Sequence, residues 1–265
     1  MNTLKKIFLG VGFSLLGVGL IICLHSQSPT DNSVLTIVTY NIRHGVGMDN
    51  TWNMERIAQV LQHLQPDIVA LQEVDVHTQR ANFMDEATFL GKQTGLQAIF
   101  VPAMPYDGGY YGNAILSRFP IVQIDTIPLP GEPRVAALAT IAIPRGTFED
   151  TILFIATHLD TRELPRRESI PLLQHHVKRY TYPAILAGDL NTPISSPEFQ
   201  KLMSTWFLPP AENGLLTFPA NAPRKQIDFI LLKPQTAWQV ISVTVFPETT
   251  ASDHLPLILK VQRIP

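Results

Sequence analysis

The chain has 265 residues, 45% of them hydrophobic, with 20 Lys and Arg against 22 Asp and Glu and a formal net charge of −2. Length and apolar content suffice for a buried core and exclude a disordered chain. One cysteine excludes an intrachain disulfide framework and a cysteine-rich zinc module. The near-neutral balance lacks the basic excess of a nucleic-acid binder.

Lys5 and Lys6 precede an uncharged run of 18 residues, Ile7 to Leu24. That run exceeds the apolar part of an ordinary signal peptide, about 7–15 residues, and approaches what a bilayer requires. The lysines ahead of it place its start on the cytoplasmic side and everything past Leu24 outside. Residues 1–33 are therefore expected to be a membrane anchor and a polar linker, with residues 34–265 as one extracytoplasmic domain. Cleavage, which would release a secreted or periplasmic body, is the alternative, but Leu24-His25-Ser26 is a poor cut site. Cys23 is a poor lipidation site because Ile21 and Ile22 before it are bulky. Past the lysines, 18 bases face 22 acids, a balance of about −4. Clustered bases are limited to Arg162 with Arg166-Arg167, Lys178-Arg179 and Arg224-Lys225, which weakens a role on long polyanions.

Val34 to Ile42 is a β-branched apolar run and predicts a strand. Trp52 to Gln65 predicts a helix, with Ile57, Val60, Leu61 and Leu64 on one face and Pro66 as its stop. A strand at Asp67–Gln72 and a helix at Asp85–Thr94, closed by Gly95, follow. Strand-like runs come next at Gln97–Val101, Tyr111–Ser117, Ile121–Ile127, Val135–Ile143 and Thr151–Thr157, punctuated by Pro and Gly. The stretch from Pro102 to Tyr111, rich in Gly and Tyr, is expected to be a loop able to line a cleft. A helix near Arg166–Tyr180 leads to a short buried strand, Ala184–Ala187, and Glu198–Trp206 is expected to be helical. Three strand runs finish the chain: Gln226–Leu232, Trp238–Phe246 and Leu255–Val261. Strands outnumber helices, without the even alternation of a βαβ repeat. Two packed sheets with helices on their outer faces fit best.

Polar residues fall where apolar strands end, and burial there is costly without a use for them. The cases are Thr-Tyr-Asn at 39–41, Leu-Gln-Glu at 71–73, Tyr-Gly-Asn at 111–113, Thr-His-Leu-Asp at 157–160, Gly-Asp-Leu-Asn at 188–191 and Gln-Ile-Asp at 226–228. Ser-Asp-His at 252–254 precedes the last strand. Any one of these reads as turn chemistry. Seven together, dominated by acids, amides and histidines, point to strand ends that face one another and build a site. Oxygen donors without thiolates suit a hard cation, Mg²⁺ or Mn²⁺. Two histidines beside acids suit proton transfer and stabilisation of developing charge. Metal, carboxylate base and imidazole together suit phosphate-ester hydrolysis.

With these motifs in this order, the sequence resembles the endonuclease/exonuclease/phosphatase superfamily from about Leu35 to Val261. The specific pair is Gly-Asp-Leu-Asn at 188–191 with Ser-Asp-His-Leu-Pro at 252–256, supported by Leu-Gln-Glu-Val at 71–74 and Gly-Asn-Ala-Ile-Leu-Ser at 112–117. The resemblance implies a deoxyribonuclease I-like four-layer α/β sandwich, two mixed β-sheets flanked by helices. It implies Glu73 as principal metal ligand, with Asn41 beside it and Asp253 near enough to ligate. Asp189 would orient and deprotonate the attacking water, with Asn191 fixing that water or a phosphate oxygen. His254, held in its tautomer by Asp228, would sit next to the scissile phosphate, and a buried carboxylate–imidazole pair favours the protonated ring. His158 would donate to a non-bridging oxygen and Asn113 would bond the phosphate.

Some branches place an acid two residues after the first Asn. Here that position is Arg43, a candidate substrate contact followed by His44 and Gly45, so metal ligation through such an acid is in doubt. Glu132-Pro133-Arg134 recurs in bacterial relatives, and Arg134 is a candidate phosphate contact. Arg80 and Arg166 read as solvated surface residues, as do His63, His77, His175 and His176. The apolar stretch Trp206 to Pro210 reads as core more readily than as lipid contact.

Rival functions are weaker. A serine hydrolase needs a Gly-x-Ser-x-Gly elbow and a zinc peptidase a His-Glu-x-x-His helix, and neither occurs. A non-catalytic binding protein of the same fold would ordinarily have lost Glu73, Asp189 or His254. The partners expected are a phosphate-ester substrate of open class (lipid, small molecule or nucleic acid), the membrane through the N-terminal segment, and no second subunit.

Overall fold

A computed structural model describes residues 34–145, 148–211 and 214–264. The expected anchor at 1–33 lies outside the described residues. Among the described ones no helix is long and apolar enough to cross a membrane.

The strands are β1 (Val34–Asn41), β2 (Ile68–Val76), β3 (Gln97–Tyr106), β4 (Gly109–Ser117), β5 (Ile121–Leu129), β6 (Arg134–Arg145), β7 (Phe148–His158), β8 (Ala184–Asp189), β9 (Asp228–Lys233), β10 (Trp238–Val245) and β11 (Leu257–Arg263). Four α-helices lie between them: α1 (Met54–Leu64), α2 (Glu86–Thr94), α3 (Glu163–Val177) and α4 (Pro197–Met203). They form a six-stranded sheet, β10-β11-β1-β2-β4-β3, and a five-stranded one, β5-β6-β7-β8-β9. Each sheet contains one parallel pair, β1 with β2 and β7 with β8, bridged by a helical crossover; the other pairings are antiparallel.

Side-chain alternation along the strands makes the layers. Leu35 and Ile37 of β1 turn inward, onto a core shared with Ala137, Ile141, Phe154 and Ile185 of the other sheet. Val38 and Tyr40 turn outward, under Ile57 and Leu61 of α1 and Leu90 of α2. On the far side Leu153, Ile155 and Leu186 pack beneath Ile170 and Leu173 of α3 and Phe199 of α4. The expected helix–sheet–sheet–helix sandwich is the observed one.

Local chemistry sets the helix ends. Asn53 and Asp85 cap α1 and α2 by accepting the backbone N–H of Arg56 and Thr88, and Ser196 caps α4 through Phe199 N–H. The predicted helix near Arg166–Tyr180 starts earlier, at Glu163, and ends at Val177.

The larger correction concerns Pro102–Tyr111. It is not a loop: β3 continues to Tyr106, and β4 resumes at Gly109 with only Asp107 and Gly108 between. Both turn residues have positive φ, 47° and 83°, as a tight two-residue hairpin requires. Pro102 and Pro105 are accommodated because β3 is an edge strand, where a missing N–H costs no ladder bond.

Candidate active site

One end of the sandwich gathers the polar strand ends. β1 stops at Asn41, β7 at His158 and β8 at Asp189, while β9 begins at Asp228. The register aligns His158 with Asp189 and Asp189 with Asp228 across three neighbouring strands. Glu73 reaches the same end through a bulge: Leu71 pairs with Ala114 and Val74 with Gly112, so Gln72 and Glu73 together oppose Asn113. Glu73 sits there at φ 56°, and Asn191, just past Asp189, at φ 49°. Positive φ at side-chain-bearing residues is held only where surrounding structure enforces it, and such positions cluster at functional sites.

Asp189 is the hub, 1% exposed. Its Oδ1 accepts the backbone N–H of Asn191 at 2.9 Å. Its Oδ2 accepts from Asn41 Nδ2 at 3.2 Å and lies 3.5 Å from His158 Nε2 and 3.7 Å from His254 Nε2. Asn41 joins the two sheets, since Nδ2 also donates to Glu73 Oε1 at 3.1 Å. The Asn41 amide oxygen accepts Arg43 N–H, which fixes its orientation with the nitrogen toward both carboxylates. Glu73, Asp189 and His254 are thus linked at one end of the sandwich, through Asn41 and the Asp189 carboxylate. Asn191 turns its side-chain amide onto Leu159 O at 2.9 Å.

The two histidines have opposite electrostatic surroundings. Burial opposes charge on His254, but Asp228, bonded to Nδ1 at 2.9 Å, and then Asp189 and Asp253 overcome it and lift its pKa to about 10. Thr217 donates its hydroxyl to the same Asp228 oxygen at 2.5 Å and steadies the pair. His158 is pressed the other way, well below the usual range, by burial and then by the charges of Arg134 and His254. Burial, then the neighbouring Asp228, raises Asp189 to about 7.

The remaining predicted residues divide. Arg134 belongs to the site: it lines a cleft of about 320 Å³ with Glu73, Arg80, Met104, Tyr106 and Tyr111, and bonds His158 Nδ1 at 2.9 Å. Asn113 is buried, its Nδ2 committed to Val135 O of the opposite sheet at 2.7 Å. Arg43 occupies a 3₁₀ turn at φ 46°, its guanidinium 3.8 Å from Asp253 and on Gly47 O. Asp253 is about a third exposed at the rim, and Ser252 ties this loop to β1 by donating to Asn41 O at 2.7 Å.

Two arginines read as surface residues are not. Arg80 grips the fully buried Asp75 at 2.6 and 2.9 Å and lies 4.3 Å from the Tyr106 ring centre on the cleft wall. Arg166 is buried against Glu198 at 3.1 Å. Glu198 lies 32 residues from Arg166, and Asp75, though only five residues from Arg80, is buried within β2, so neither pairing carries a local motif. Tyr111 and Thr217 were missed as well, since hydroxyls in apolar surroundings carry no motif. Trp206 is core as expected, and Phe207 bridges to Leu232.

The donor chemistry accommodates a hard divalent cation. Asn41 is the hydrogen-bond partner of the Glu73 carboxylate among the described residues, which leaves oxygen lone pairs facing the cleft. Asp189, Asp228 and His254 also bring ligand atoms within 4.8 Å of one another. There Asp228 Oδ2 is already taken by His254 and Thr217, while its Oδ1 is buried without a partner.

Residues 38–254 match the model of the Endonuclease/Exonuclease/phosphatase family. The uncharacterized protein YbhP of Escherichia coli K12 is 25% identical over 243 residues, covering 83% of this chain and 93% of its own. Among solved structures, the mannosyl-6-phosphatase of Bacteroides thetaiotaomicron superposes with a TM-score of 0.68 at 24% identity, covering 87% of this chain and all of that one. The endonuclease/exonuclease/phosphatase of Beutenbergia cavernae gives 0.66 at 23%, covering 87% and 72%. At such identities the superpositions speak for the fold alone.

Proposed function

We propose, from the premise that this chain belongs to the endonuclease/exonuclease/phosphatase family, that it hydrolyses phosphate esters with the help of a divalent cation, Mg²⁺ or Mn²⁺. The observation that carries this reading is a single carboxylate, Asp189, within 3.7 Å of an amide and of two imidazoles whose surroundings push their pKa values in opposite directions. In this reading Asp189 takes the proton of the attacking water, because a buried carboxylate with a pKa near neutrality is a competent base. Asn191 N–H orients that carboxylate. His254, cationic beside Asp228, offers its Nε2–H to the phosphate, and His158 offers a neutral donor from the other side. Glu73 would hold the cation, braced by Asn41, with Asp253 at the rim as the second candidate ligand. Bound there, the ion supplies positive charge against the negative charge that develops on the phosphate.

A negative body and a cleft of about 320 Å³ favour a small ester over a long polyanion. The named activity of the Bacteroides relative, a sugar-phosphate phosphatase, is compatible with a substrate of that size. The N-terminal lysines and apolar run support an anchored domain working outside the cytoplasm.

The test is hydrolysis of p-nitrophenyl phosphate and bis-p-nitrophenyl phosphate with Mg²⁺ or Mn²⁺. Turnover should vanish with chelator and return with metal. Asp189→Asn and His254→Ala should each lower kcat by on the order of 10³-fold. Full activity in Asp189→Asn would remove the mechanism.

A further inference from the structure

Arg134 opens β6 at the mouth of the site, with its side chain only 11% exposed. A guanidinium has five N–H donors and no acceptor, so its partners can be counted. Nη1 spends both hydrogens, on Tyr111 Oη at 2.8 Å and His158 Nδ1 at 2.9 Å. Nη2 spends one on Glu132 at 3.1 Å. Nε is buried without a partner. Two N–H groups remain, the buried Nε–H and one on Nη2, so at most the latter faces the cleft, a poor endowment for a phosphate receptor.

The bond to His158 has a chemical consequence. Because the arginine can only donate, His158 Nδ1 can only accept, and the ring hydrogen must sit on Nε2. That nitrogen is the one facing the hub, 3.5 Å from Asp189 Oδ2. The gap is too long for a good hydrogen bond to Asp189, so the hydrogen stays available. We propose that Arg134 is a positioning residue that locks His158 in the Nε2–H tautomer, so that a neutral imidazole donates to the reacting phosphate. The proposal rests on the hydrolytic reading and refines it: Arg134 works through His158 and does not grip substrate.

The surrounding structure is built to hold the arginine still. Asp160, two residues past His158 and 1% exposed, accepts Glu132 N–H at 2.7 Å. It also accepts the backbone and side chain of Arg162 at 2.7, 3.0 and 2.8 Å. The end of β7 therefore carries the imidazole and also clamps the turn that delivers its partner. His254 receives the opposite treatment from Asp228. Two like side chains flanking one carboxylate are thereby given different protons by an arginine and an aspartate.

The test reads the tautomer directly, by long-range ¹H–¹⁵N correlation of the histidine rings in the ¹⁵N-labelled full chain, with His158 assigned from His158→Gln. The wild type should show a pyridine-like Nδ1 and a protonated Nε2 at neutral pH. Arg134→Ala should lose that signature, with kcat lower by on the order of 100-fold and KM within about 3-fold. Arg134→Lys, which can also donate to Nδ1, should restore the signature and part of kcat. Arg134→Met keeps the apolar stem and replaces the alanine variant if that one fails to fold. An unchanged His158 spectrum in Arg134→Ala, or a raised KM with kcat intact, would overturn the proposal. The spectra report on the ring with or without turnover, so loss of the hydrolytic reading and loss of the arginine lock are separate results.

Discussion

Gly188 illustrates how narrowly the hub is placed. A Cβ built on it would lie 1.9 Å from Thr157 O on the paired strand, and its φ is 159°. Only a residue without a side chain lets β7 and β8 close up just before Asp189. Gly188→Ala is expected to cost about 2–4 kcal/mol of stability by urea titration and to lower kcat even at temperatures where the protein stays folded. Much of the site was legible at this scale because the signal is local: an acid, amide or histidine at the end of an apolar run is conspicuous wherever it falls. What stayed hidden depends on side-chain pairings that no local motif announces. Thr217 matters through Asp228, Ser252 through Asn41 at a separation of 211 residues, and Arg80 through a buried Asp75. Arg134 was legible as a participant, but its pairing with an imidazole on another strand was not.

Among the elements, α2 holds an acid at a cost. Glu86, in the first turn, is fully buried; it accepts Asp75 N–H at 2.8 Å and Trp52 Nε1–H at 3.4 Å. Burial raises its pKa to about 8, opposed by the Asp75 N–H and assisted by the Asp75 charge. In an unfolded chain the group titrates near 4.3. The native state therefore keeps a proton that the unfolded state has lost, and stability falls as pH rises from about 4.5 to about 8 and then levels off. Glu86→Gln keeps an acceptor for Asp75 N–H and removes the slope. Urea melts at about pH 5 and about pH 8 should differ less in the variant, by on the order of 2–3 kcal/mol. An equal pH dependence would show that Glu86 is ionised in the fold. Element boundaries followed their punctuation where caps are strong, at Pro66 and Gly95. They failed at the β3–β4 hairpin, because Pro and Gly mark a loop in sequence while an edge strand tolerates both.

At the scale of the whole molecule, the layered architecture followed from counting apolar runs and noting that they do not alternate with helices. The strand order did not, since pairing β11 beside β1 is a long-range choice with no local signature. The N-terminal run predicts that full-length protein sediments with membranes and resists carbonate extraction, with residues 34–265 digestible by protease added outside. Recovery in the soluble fraction would leave cleavage as the route. The six-stranded sheet takes β1 to β4 from the front of the sequence and β10 and β11 from the back, and Asp253 and His254 arrive just before β11. A chain emerging from the ribosome front first carries Asn41 and Glu73 long before it carries the imidazole that answers them. Under the hydrolytic reading, a nascent chain that has not yet reached β11 lacks the second imidazole of the hub and is silent toward the phosphorylated compounds around it.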